Sequence, residues 1–140
     1  MKTWMVVILV FLLVLFVAVA TAPGFAIQKP LPRADVPKYD PATEATFKGT
    51  VEEVKDRVCP VSGGMGSHLI LRLAGGKTIE VHLATTEFMK AYELVFKNGD
   101  EVEVKGSKVT FEGVETIFAR EIKRGEEIVV FRDKEGKPAW

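Results

Sequence analysis

Phe47, Gly49 and Val51 alternate with Lys48, Thr50 and Glu52, a period of two that predicts a first β-strand with one buried face. Val54 falls out of that alternation, which predicts a bulge or the end of the strand. The segment Pro60-Val61-Ser62-Gly63-Gly64-Met65-Gly66 reads as a flexible loop. Strands are expected from His68 to Leu73 and from Thr78 to Leu83, joined at Gly75-Gly76. A Gly75-Gly76-Lys77 loop sets Leu73 against Ile79, Leu71 against Val81, Leu69 against Leu83 and Arg72 against Glu80. It is preferred to a two-residue loop, which would set Leu71 against Glu80 and mix the faces.

Thr85 is placed to cap a short helix, with Glu87 in its first turn and an apolar stripe at Phe88, Tyr92 and Val95. Asn98-Gly99 predicts its end. Val102 and Val104 then alternate with Glu101, Glu103 and Lys105. A further hairpin, Val109 to Phe111 and Val114 to Ala119, turns at Glu112-Gly113, and Ile128 to Phe131 forms one more strand. The succession is strand, strand, strand, helix, strand, strand, which is the order of an OB-fold.

The N-terminus has a different pattern. Lys2 precedes an unbroken apolar run from Trp4 to Ala20, and small-x-small cleavage patterns follow at Ala18-Val19-Ala20 and Gly24-Phe25-Ala26. Residues 1–26 are therefore expected to be a signal peptide or an N-terminal membrane anchor, with residues 4–20 crossing the membrane if the leader is kept. The expected location is extracytoplasmic, either periplasmic, secreted or held at the inner membrane. Pro30, Pro32, Pro37 and Pro41 among charges mark residues 27–45 as an extended linker, leaving 46–140 as the folded domain.

Charge narrows the partners. Lysine plus arginine and aspartate plus glutamate each total 19, for a formal net charge of zero. That balance argues against a domain that holds nucleic acid by neutralising phosphates. A basic cluster of Lys105, Lys108, Arg120, Lys123, Arg124 and Arg132 is diluted by neighbouring glutamates and reads as solvated surface. Trp140, ending a polar tail, is expected to dock on the domain or to mark a partner contact. The single cysteine, Cys59, cannot form an internal disulfide.

Gly49-Thr50-Val51-Glu52 and the stretch from Gly99 through Asp100 and Glu101 to Gly106 resemble small exported bacterial OB-fold proteins, and the closing Phe131 to Trp140 is similar to the tail of uncharacterised exported domains. The resemblance covers roughly Thr46 to Lys123. It implies a mainly β, five-stranded OB-like Greek-key barrel with a short helix between strands 3 and 4 and a C-terminal β extension. It implies no catalytic signature.

The residues themselves point the same way, since the chain has no Gly-x-Ser-x-Gly elbow, no phosphate-binding loop with its lysine and no His-Glu-x-x-His. Cys59 with a histidine lacks a third, orienting group for nucleophilic catalysis. The stronger grouping is Cys59, His68 and His82, with Met65 able to reach in from the same loop. In the preferred register His68 and His82 are diagonal neighbours, about 7–8 Å apart at the backbone. A thiolate and two imidazoles suit zinc or copper. Against this stands the plain account of a buried thiol and two ordinary strand histidines. His68, Ile70, Arg72, Glu80 and His82 share the outward face of strands 2 and 3, where OB-folds commonly bind ligands. The sequence therefore expects a non-catalytic envelope module for a small ligand, ion or protein partner. Its alternative is a metal- or redox-responsive protein built on Cys59, His68 and His82.

Overall fold

The alternation that begins near Phe47 runs further than its sequence pattern suggests. In the computed structural model, which describes residues 36–140, strand β1 spans Glu44–Cys59. It is followed by β2 (Gly64–Leu73), β3 (Thr78–Thr85), α1 (Thr86–Ala91), β4 (Glu101–Phe111), β5 (Val114–Arg124) and β6 (Glu127–Val130). The expected leader and residues 27–35 of the expected linker lie outside the described residues. Among the described residues, no helix is long and apolar enough to cross a membrane.

The described residues are mainly β, with six strands in one sheet in the order β3-β2-β1-β4-β5-β6. Neighbours pair antiparallel, and β3 also pairs in parallel with β5 through Glu80, Val81 and His82 against Thr116, Ile117 and Phe118. Bonding therefore runs from β1 through β2, β3, β5 and β4 back to β1, as a ring. Five strands and a C-terminal extension were expected; the sixth strand, β6, adds to the sheet beyond β5. Val54 marked a real irregularity, because the β1–β2 register shifts between Val51 and Glu53 and the strand continues past it. Ring closure needs close backbone approach at Gly49 and Gly106, where a Cβ would collide with the carbonyls of Arg72 and Phe118.

The β2–β3 hairpin takes neither register weighed from the sequence. Leu73 N–H donates to Lys77 O at 2.8 Å and Gly76 N–H to Leu73 O at 3.0 Å, so the turn is Ala74-Gly75-Gly76. Gly75 and Gly76 hold φ of +94° and +87°, and Lys77 returns to the strand side of the turn. Leu71 consequently faces Ile79, and Leu69 faces Val81. This is a slip of two positions from the preferred register. It changes partners but keeps each side chain on its face, so the apolar face survives.

That face fills the ring with Val51, Leu69, Leu71, Val81, Leu83, Val104, Ile117 and Ile122, each at most 1% exposed. α1 begins as expected, with the Thr85 side chain accepting from Phe88 N–H. It ends sooner than the stripe implied. Leu94 N–H turns back to Met89 O and Glu93 adopts a φ of +52°, so the helical period is lost. Tyr92 and Val95 stay exposed, while Met89 and Phe96 are buried instead.

A second, smaller core lies apart from this cluster. Cys59, Phe111 and Phe118 are buried there, with Tyr39, Val61 and Val109 against them. The stretch read as linker contributes to it, because β1 starts at Glu44 and Tyr39 precedes it. Asp40 N–H donates to Ser107 Oγ, and Arg120 clasps Glu44 with Nε at 2.8 Å and Nη2 at 3.1 Å. Those bonds order residues that a proline-rich composition alone would leave extended.

Candidate metal centre

β1 and β2 form a tight hairpin whose last pair is Cys59 opposite Gly64. The loop expected from Pro60 to Gly66 is thus only the turn Pro60–Gly63, closed by Ser62 N–H to Cys59 O at 3.1 Å and Gly63 N–H to Pro60 O at 3.2 Å. Strand alternation then decides what faces inward. Cys59 is fully buried, while its neighbour Val58 is 74% exposed. Met65 pairs with Val58 and shares its exposure at 47%, so it is not brought to the group expected to include it.

His68 and His82 stand directly opposite each other on β2 and β3, not diagonally. Their rings meet edge to face with centroids 4.9 Å apart. Both are fully buried. One ligand atom from each of Cys59, His68 and His82 lies within 4.8 Å of the others. A tetrahedral centre with ordinary metal–sulfur and metal–nitrogen bonds needs donor separations of about 3.3–3.6 Å. Contraction of roughly 1 Å by side-chain rotation would reach that geometry.

The expected outward face is therefore not a solvent-facing surface at its histidine end. Phe118 from β5 approaches the His82 ring at 5.6 Å, and Trp140 docks over it at 5.8 Å. Trp140 thus settles on the domain. Ile70 is only half-buried and Arg72 is exposed, where it pairs with Glu52. Neither joins the histidines.

Glu80 does. Its Oε1 lies 2.7 Å from His68 Nδ1, within reach of a hydrogen bond donated by that nitrogen. Burial would raise the Glu80 carboxyl, but the hydrogen bond and charge of Arg57, with His68 and Lys55, hold it below its usual range. A carboxylate behind one imidazole nitrogen is the common means of orienting a metal-binding histidine. His68 Nε2 is turned towards Gly66, where a Cβ would lie 3.2 Å from that nitrogen, 3.1 Å from Cys59 Cβ and 2.5 Å from Ser62 Oγ. Gly66 is therefore the space in which these side chains meet. Ser62 Oγ and His82 Nε2 share a hydrogen bond of 2.9 Å.

Burial sets the charge state. It pushes His68 down to about 4, against the pull of Glu80. It pushes His82 down to about 3, helped by the charges of His68, Arg132 and Arg57. Both rings are neutral at neutral pH, the form that binds a metal. His68 Nε2 and His82 Nδ1 are buried without a hydrogen-bond partner among the described residues. Unsatisfied buried polar atoms cost stability, and a thiol with two neutral imidazoles is a donor set that zinc or copper(I) would satisfy. On both grounds the residues fit a metal.

The sequence grouped Cys59, His68 and His82, which the structure brings together, but missed Ser62, Gly66 and Glu80 as their neighbours. It also placed Arg132 on a solvated surface, whereas Arg132 is 4% exposed beside this group. Its guanidinium lies over Trp140 at 4.7 Å, which the tail makes possible.

The described chain is thus a ring-closed β protein with a thiol–imidazole group buried against one flank. A family model described as the MamS/MamX magnetosome protein family matches residues 43–129, and the chain belongs to that family. The match takes in β1 through most of β6 and all three donors. Among curated proteins, none matches the sequence.

Proposed function

We propose that the domain is a non-catalytic metal-binding module that holds one soft or borderline transition-metal ion, zinc or copper(I), through Cys59, His68 and His82. The observation that carries this reading is the convergence of three buried donors within 4.8 Å, with imidazole nitrogens left unpartnered. Apolar side chains would fill this volume without that cost. The frame is read as an OB-like Greek-key barrel, supported by the ring order β1-β2-β3-β5-β4 and the helix between β3 and β4. The apolar run Trp4–Ala20 and the proline-rich stretch after it support an envelope location, exported or anchored. The family description supports work at the magnetosome, and metal handling is consistent with it.

Metal content of the natively purified full chain tests the site, beside Cys59→Ser and the His68→Ala, His82→Ala double variant. Near-stoichiometric zinc or copper in the parent, lost in both variants, is expected. Among added divalent ions, zinc should be retained well ahead of magnesium, calcium and manganese, which prefer oxygen ligands. Metal-free protein that also takes up neither zinc nor copper would overturn the reading. A ligand-binding module with no metal would then be the better account.

A further inference from the structure

Arg132 is a second unexplained buried polar group, and it adjoins a cavity of about 540 Å³. The cavity is lined from three directions. Val36 to Tyr39 form one side, the Pro60–Gly63 turn another, and the tail residues Glu135 to Pro138 a third, with Phe118 and Arg132 among them. Arg132 Nη1 donates to Gly136 O at 3.0 Å. Nε and Nη2 are buried and have no hydrogen-bond partner among the described residues. No carboxylate among the described residues forms a salt bridge with this guanidinium.

The geometry of the free donors is informative. Nε–H and Nη2–H point in parallel along one edge of a guanidinium, the edge that grips a carboxylate or phosphate with two bonds. The remaining nitrogen is the one taken by the backbone. The plane is also held in place, with Trp140 at 4.7 Å, Phe118 at 5.6 Å and Tyr39 at 5.7 Å from the guanidinium carbon. Rings offset part of the cost of burying the charge but cannot accept two in-plane hydrogen bonds. Lys38 and Lys137 also line the cavity, against the single acid Glu135. Burial lowers Arg132 only to about 10, so it stays charged at neutral pH.

We propose that this cavity is a binding site for a small oxyanion, a carboxylate or phosphate group, gripped by the Nε–Nη2 edge of Arg132, with Lys38 and Lys137 among the lining residues. The site is separate from the three metal donors, though Ser62 lines the cavity while bonding His82.

The test is titration of the metal-free full chain with inorganic phosphate and, separately, with malonate, at constant ionic strength and with chloride as control. Saturable binding of either anion, absent with chloride, is expected, and the anion that binds more tightly names the source. Arg132→Lys keeps the charge but loses the paired donors, so affinity should fall by about tenfold or more. Should that variant fail to fold, the slowly exchanging Nε–H resonance of the buried arginine gives a direct readout in the parent chain. It should shift saturably with the same anion. No saturable binding beyond chloride, an unchanged affinity in folded Arg132→Lys, or an Nε–H resonance that ignores the anion would overturn the proposal.

Discussion

The two cores of this protein are made from the same strands and obey opposite rules. On β2 and β3, Leu69, Leu71, Val81 and Leu83 face into the ring, where they join an apolar cluster of buried side chains. His68 and His82 face the other way, into a flank that also buries Cys59, Phe118 and Arg132. The ring interior is explained by the hydrophobic effect alone. The flank is not, because unpartnered imidazole and guanidinium nitrogens make it costly. A fold that already has one sound core does not need such a flank for stability, so the flank calls for a chemical explanation.

Mutation should separate the cores. Leu71→Ala removes buried methyls from the ring and should cost about 2–5 kcal/mol, read as a lower denaturant midpoint. The flank should respond to acid instead. His68 and His82 titrate near 6.5 when unfolded but at about 4 and about 3 in the fold. Between these values the unfolded chain binds more protons, so stability is complete above pH 6.5 and falls as pH drops towards 4. Metal-free protein should lose about 2–4 kcal/mol between pH 7 and pH 5, at about 1.4 kcal/mol per unit for each histidine. Equal stability at those two pH values would contradict the burial assigned to the imidazoles.

The smallest effect sharpens the contrast most. His68→Leu with His82→Leu replaces orphaned nitrogens by hydrocarbon of similar size. Metal-free stability should stay level or rise by about 1–2 kcal/mol, and the acid sensitivity should flatten. Zinc and copper binding should disappear at the same time. A strongly destabilised double variant would show that the imidazoles serve the fold.

Much of the ring was legible because alternation is a local signal. Leu69, Leu71, Ile79 and Val81 declare their face whatever partner they meet, which is why a register misjudged by two positions left the interior correct. The grouping of Cys59, His68 and His82 was legible for a similar reason, since the hairpin sets His68 and His82 on one face and Cys59 lies one turn before His68. Their burial was not. It comes from Phe118 and Trp140, which are distant in sequence and meet the group only through the tertiary fold. Met65 was misjudged because a loop seemed to free it, whereas the hairpin extends to Gly64 and fixes Met65 beside exposed Val58. Arg132 looked like one more surface cation because nothing local announces that an aromatic tail will fold over it.

X-ray absorption at the zinc edge of the zinc-loaded full chain tests the central claim most directly. The account predicts an inner shell of one sulfur near about 2.3 Å and two imidazole nitrogens near about 2.0 Å, with the sulfur lost in Cys59→Ser. A shell of oxygens alone, unchanged by that substitution, would place the metal on surface carboxylates and contradict the account.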